Sequence, residues 1–250
     1  MTSTGVMRLP NDFLREKGIG TCALCLKDNV LLTNEHIFPR LLGGKLVCQF
    51  LCSDCNRKMG KIDREFDHGM LPRLNHIISG AKGKITPNEF LGCLQGRLLD
   101  AELDIAPPFE GCKIAYETAC CRFGLQYARG SNEAKLLQST LLNHSKQDVQ
   151  RLVIPFMNQE LPQLEESIGT RIMWATEFWG LSVVSLAGVI LGVITEKEDN
   201  RFRTPVDNAN LYLVPCEKGC TAEIVSLKKW YEDHSLDARE LRELLDKLCP

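Results

Sequence analysis

The residues with the clearest capacity for chemistry lie between Cys22 and Phe66. Two Cys-x2-Cys pairs, Cys22/Cys25 and Cys52/Cys55, bracket a segment that carries the dipeptide Glu35-His36, and Asn56 follows the last cysteine directly. Four deprotonated sulfurs fill a tetrahedron and leave no open position, so this set suits a structural zinc rather than a catalytic one. The pairs are separated by 26 residues, which is more than a simple zinc ribbon needs and leaves room for an inserted hairpin. Metal binding there becomes folding energy for a short segment with little core of its own.

The order Cys-x2-Cys, then Glu-His-Ile-x-Pro with Gly43-Gly44 following, then Cys-x2-Cys-Asn resembles the HNH endonucleases of the ββα-metal type, in the subgroup with a four-cysteine zinc. The resemblance covers about the first 70 residues. It implies that His36, ending the first strand, is the general base, that Glu35 binds a catalytic cation, and that Asn56 on the helix is a second cation ligand. One departure stands out. Many members carry a central Asn between the strands, where it ties the loop together, whereas the stretch IFPRLLGGKLVCQFL has none. Gln49 or a backbone group is left to replace it.

These residue types suit the implied reaction. Phosphodiesters resist water, so cleavage needs an activated nucleophile and compensation for charge on the phosphate and the leaving oxygen. A histidine with an ordinary pKa of about 6.5 can take a proton from water near neutral pH. Glu35 and Asn56 offer the hard oxygens that Mg²⁺ or Mn²⁺ prefers. Asp63 is a candidate third ligand, or one half of a salt bridge. Arg40, Arg57, Lys58, Lys61 and Arg64 are candidate phosphate contacts or a solvated helix face. A zinc-finger module without catalysis, binding nucleic acid or protein, and an interaction protein capped by the finger are the alternatives. The cleavage substrate implied is double-stranded DNA.

The elements that must position these groups follow from pattern. Val30–Thr33 reads as a strand running into Glu35-His36, and Pro39 with Gly43-Gly44 marks a loop. Leu46–Leu51 reads as the second strand. Ser53 or Asp54 caps a helix on which Asn56, Gly60 and Asp63 share a face. Gly60 would let a phosphate backbone approach that face. Before the first knuckle, Asp12–Lys17 reads as a short helix.

Beyond the finger the pattern changes. Residues 67–110 are turn-rich. Lys113–Tyr127 reads as an amphipathic helix, Ser131–Leu142 as a second, and Val149–Phe156 as a short strand. Ile172–Thr195 is rich in β-branched and aromatic residues. Its uncharged part, Phe178 to Ile194, is shorter than a membrane span needs and carries internal glycines, so it reads as adjacent core strands turning near Gly180 and Gly188. Leu211–Pro215 and Ala222–Val225 read as further strands, and Leu227–Leu248 as a charged amphipathic helix. Core packing is expected for Trp174, Trp179 and Trp230. His68, His76, His144 and His234 read as ordinary surface or partly buried residues.

The fold class expected is α+β: an N-terminal zinc-stapled ββα-metal finger followed by an α+β C-terminal domain. The division is 1–80 nuclease, 81–110 linker and 111–250 accessory domain for sensing, binding or oligomerisation. Of 250 residues, 44% are hydrophobic and 25% charged, normal for a globular chain with a real core. Net charge is −2, which excludes a uniformly basic nucleic-acid binder. The charge is uneven: residues 1–85 hold 13 Lys/Arg against 8 Asp/Glu, the remainder 17 against 24. Twelve cysteines without an apolar leader point to metal and buried thiols in a reducing cytoplasm rather than to disulfides. Two-part chains of this kind resemble bacterial defence or restriction effectors. That likeness implies DNA, a possible homo-oligomer and an activating ligand or protein at the C-terminal domain as partners, and no membrane.

Overall fold

The computed structural model describes residues 7–8, 12–39, 44–78, 106–156, 173–186, 189–214 and 222–236. Two sheets and five α-helices make up its regular structure among these residues, an α+β architecture. In the N-terminal region, β3 (Val30–His36) and β4 (Leu46–Cys52) form an antiparallel hairpin that runs into α1 (Ser53–Ile78). Two short strands flank it: β1 (Met7–Arg8) pairs in parallel with β4, and β2 (Ile19–Gly20) lies antiparallel to β3. Helix α1 buries Cys55, Met59, Ile62 and Phe66, the i, i+4, i+7 stripe of an amphipathic helix, and leaves Arg57, Lys58, Lys61 and Arg64 exposed.

Glycine closes the hairpin loop. Gly44 N–H donates to Pro39 O at 3.1 Å, and a Cβ on Gly44 would stand 2.1 Å from Phe38 O. A backbone bond therefore spans this loop, whose sequence offers no Asn. Gln49 acts elsewhere: its Nε2 donates to Leu32 O at 2.9 Å, across the hairpin.

The C-terminal half is built on α2 (Ala106–Gly130), α3 (Asn132–Asn143), α4 (Lys146–Leu152) and a six-stranded antiparallel sheet. Its strands are β5 (Val153–Phe156), β6 (Met173–Phe178), β7 (Leu181–Leu186), β8 (Val189–Ile194), β9 (Asn210–Val214) and β10 (Glu223–Ser226). Their order is β10-β9-β6-β7-β8-β5. Both faces of this sheet are covered. Leu181, Val183, Leu211 and Leu213 pack toward α5 (Leu227–Asp233), while Val184, Leu186, Tyr212 and Val214 join the main core with α2. That two-sided burial explains why the run from Phe178 is apolar almost without interruption. No helix among the described residues is long and apolar enough to cross a membrane.

Helix α2 departs from the expected amphipathic pattern. It is longer than Lys113–Tyr127, and every residue from Pro108 to Cys120 is buried, because it lies between α1 on one side and strands β5 to β8 on the other. It breaks at Gly124 (φ 69°). The N-terminal segment closes that break: Asp12 Oδ1 accepts from Leu125 N at 2.8 Å, leaving no room for a Cβ on Gly124. Asp12–Lys17 is accordingly not the α-helix expected. Only Glu16–Gly18 forms a single 3₁₀ turn, with Lys17 in the left-handed region. Residues 149–152, expected to be extended, complete α4, which Ser145 caps through a bond from Asp148 N.

Trp179 is the other reversal. It is 46% exposed rather than buried, since it and Gly180 (φ 49° and 79°) form the two-residue turn between β6 and β7. The turn expected near Gly188, the linker through residue 105, the side chains of His68, His76 and Trp174, and residues 237–248 lie outside what is described. The helix expected over Leu227–Leu248 ends at Asp233, where His234 caps it and Ser235 is left-handed (φ 54°).

Candidate active site

The first knuckle is a tight turn. Leu26 N–H donates to Cys22 O and Cys22 N–H to Lys27 O, both at 2.9 Å, with Leu26 in the left-handed region (φ 57°). The second knuckle joins the end of β4 to the first turn of α1. Together they bring the sulfurs of Cys22, Cys25, Cys52 and Cys55 within 4.8 Å of one another, with Cys25 and Cys52 Sγ 3.9 Å apart. Zn–S bonds of about 2.3 Å imply sulfur–sulfur edges of about 3.8 Å in a tetrahedron, so the four residues fit a zinc ion. The cluster also favours a thiolate: a hydrogen bond from Cys55, against the cost of burial, pulls Cys22 down to about 5. The same bond pushes the Cys55 thiol up.

Strand β3 carries the Glu-His pair opposite a bulge in β4. The register slips between Thr33 and Asn34, so Thr33 faces Leu51 and Asn34 faces Gln49. Phe50 of β4 is the extra residue, and across from it β3 departs from two-residue alternation, so that Leu32 and Glu35 are both buried. Glu35 is consequently 3% exposed, and His36 is half-buried at the strand end. Asn56, in the first turn of α1, holds the bulge in place. Its Nδ2 donates to Thr33 Oγ1 at 2.8 Å and to Asn34 O at 2.7 Å, while Thr33 Oγ1 donates to Leu51 O at 3.0 Å. With both amide hydrogens committed, the Oδ1 end of Asn56 is the one that can serve as a ligand.

Residues 22–71 match the model of the HNH endonuclease family. That stretch, with its zinc knuckles, Glu-His pair and Asn56, is similar to an HNH domain. No curated protein and no solved structure matches the chain.

Beneath the Glu-His pair of the HNH domain sits Lys113 of α2, which is 0% exposed. Its Nζ donates to Asp63 Oδ1 at 2.5 Å and to His36 O at 2.9 Å, and lies 3.2 Å from Glu35 Oε1 and 3.7 Å from Glu110 Oε1. Burial opposes the ammonium charge, but Glu110, Asp63, Glu35 and Glu117 outweigh it and hold the lysine protonated well above its ordinary range. The acids bear the cost. Burial, only partly offset by Lys113, pushes Glu35 up to about 7. It drives Glu110 and Glu117 well above the usual carboxylate range, and neither has a hydrogen-bond partner for its carboxylate oxygens.

The structure thus brings Glu35, Asp63 and the His36 backbone together on one point, with Asn56 bonded to the backbone just before them. That point holds an ammonium. Glu35, Asn56 and Asp63 do not fit a divalent cation in this arrangement, because Lys113 takes the position between the two carboxylates.

Among the candidate phosphate contacts, Arg57 is paired with Asp54 at 3.5 Å and Lys58 reaches Leu142 O at the end of α3 at 3.2 Å. Lys61 and Arg64 lie on the exposed side of α1, and Arg40 is outside the described residues. Sequence reading passed over Lys113, Glu110 and Glu117. The signal available was their spacing: i, i+3 and i+7 in an otherwise apolar helix place three charges on one face.

Proposed function

We propose that the protein is an HNH-type metal-dependent endonuclease that hydrolyses phosphodiester bonds of double-stranded DNA. The observation that carries this reading is the end of β3, opposite the bulge in β4. It presents the half-buried His36 beside an inward Glu35, braced by Asn56 on a zinc-knuckle helix. In this reading His36 takes a proton from the attacking water, and Arg57, Lys61 and Arg64 meet the phosphate backbone. Mg²⁺ or Mn²⁺ is the cation the chemistry calls for. Residues 1–80 are the nuclease unit, and 111–250 the accessory unit through which a ligand or partner acts, as in a defence or restriction effector. What supports a link between the units is the continuous core running from Phe13 to Ala222.

The test is supercoiled plasmid incubated with purified, zinc-loaded protein and millimolar Mg²⁺ or Mn²⁺, beside His36→Ala and an EDTA control. Cleavage by the wild type that disappears in both controls is expected. Equal cleavage by His36→Ala, or none by the folded wild type, overturns the reading.

A further inference from the structure

Lys113 makes contacts that read as those of a metal ion. Its three N–H groups find three oxygens, Asp63 Oδ1, Glu35 Oε1 and His36 O. These are hard oxygens drawn from β3 and α1, the kind of donor that Mg²⁺ or Mn²⁺ prefers. The surroundings are over-supplied with acid. Glu110 and Glu117 add two fully buried carboxyl groups without hydrogen-bond partners, so four carboxyls surround a single positive charge. A dication would answer that set better than an ammonium does.

The lysine belongs to neither of the elements it bridges. It is fixed to α2, which also packs on strands β5 to β8, and a Cβ on the neighbouring Gly111 would stand 3.0 Å from Leu191 Cδ1 of β8. Its side chain is wholly buried between these elements. A displacement of the C-terminal sheet would carry α2, and Lys113 with it, away from Glu35 and Asp63.

From this geometry we infer that Lys113 is a tethered cation holding the place of the divalent metal, so that loading the HNH domain requires Lys113 to withdraw with α2. This rests on the reading of Glu35 and Asp63 as cation ligands. The C-terminal half then controls the nuclease by setting how readily α2 gives way. It uses a charged side chain rather than a lid over the substrate.

The experiment is a Mn²⁺ titration of the full-length, zinc-loaded protein, with free Mn²⁺ followed by its electron paramagnetic resonance signal. Lys113→Gln is compared with the wild type. Lys113→Gln/Glu110→Gln serves as a charge-compensated second variant, and zinc content and circular dichroism report folding. At least tenfold tighter Mn²⁺ binding is expected in a folded variant, and adding Glu35→Gln to it should abolish the gain. Measurable binding that is unchanged or weaker in the variants overturns the role given to Lys113 and leaves the cation ligands standing. No Mn²⁺ binding by any of the proteins overturns both.

Discussion

The hydroxyl of Tyr116, in the middle of α2, donates to the carbonyl of Ala23 inside the first zinc knuckle at 2.6 Å. Gln138 of α3 completes the joint, its Nε2 reaching Tyr116 Oη at 2.9 Å, Ala128 O at 2.8 Å and Ala23 O at 3.3 Å. All of this is buried, so water cannot substitute for a lost partner. Tyr116→Phe should therefore cost about 1–3 kcal/mol. Urea denaturation of the zinc-loaded protein checks it, and an unchanged midpoint would show that the knuckle and α2 are not coupled through this bond.

Zinc should be stoichiometric. The four sulfurs predict one ion per chain by elemental analysis, and Cys52→Ser should lose it. Binding energy in small zinc sites is of the order of 10 kcal/mol, and it counts as folding energy. Chelation should therefore expose the β3–β4 hairpin to protease before the C-terminal sheet. Simultaneous proteolysis of both halves would contradict that order.

Gly60 separates stability from function. A Cβ there meets nothing within 4 Å, so Gly60→Ala gains about 1 kcal/mol from helix propensity without a clash. If its face of α1 meets the phosphate backbone, the same methyl should lower plasmid cleavage at least tenfold. A variant that is both more stable and fully active would remove that face from the DNA contact.

Glu177 on β6 sets a pH dependence away from the HNH domain. Burial, weakly opposed by Arg122, pushes its carboxyl from 4.5 up to about 8, and its Oε1 has no hydrogen-bond partner. An acid raised on folding keeps its proton where the unfolded chain has lost it. Its contribution to stability therefore falls as pH rises from about 4.5 to about 8, and is level above that. Each tenfold change in proton affinity is worth about 1.4 kcal/mol, so Glu177→Gln should match the wild type near pH 5 and exceed it by a few kcal/mol at about pH 9. Denaturation midpoints that differ by the same amount at pH 5, 7 and 9 would contradict the assignment.

Much of the HNH domain was legible because its information is local. Knuckle spacing, Pro39 with the paired glycines, and the 55, 59, 62, 66 stripe each act within a few residues, and β3, β4 and α1 lie where those signals put them. Strands β6 and β7 were legible for the same reason, through composition and Gly180. Asp12 was misread because its role is to cap Leu125, 113 residues away, and no local pattern records a cap supplied from elsewhere.

The sequence by itself determined the zinc set, the Glu-His pair at a strand end and the α+β class, since ligand spacing and residue periodicity are properties of neighbouring residues. Only the tertiary structure decided what Glu35 faces. The register slip after Thr33, across from the extra Phe50 of β4, turns it inward, and α2 delivers Lys113 onto it from 78 positions further along the chain. Which charge meets which carboxylate depends on how separate elements pack, and burial then magnifies that choice because water is no longer there to screen it.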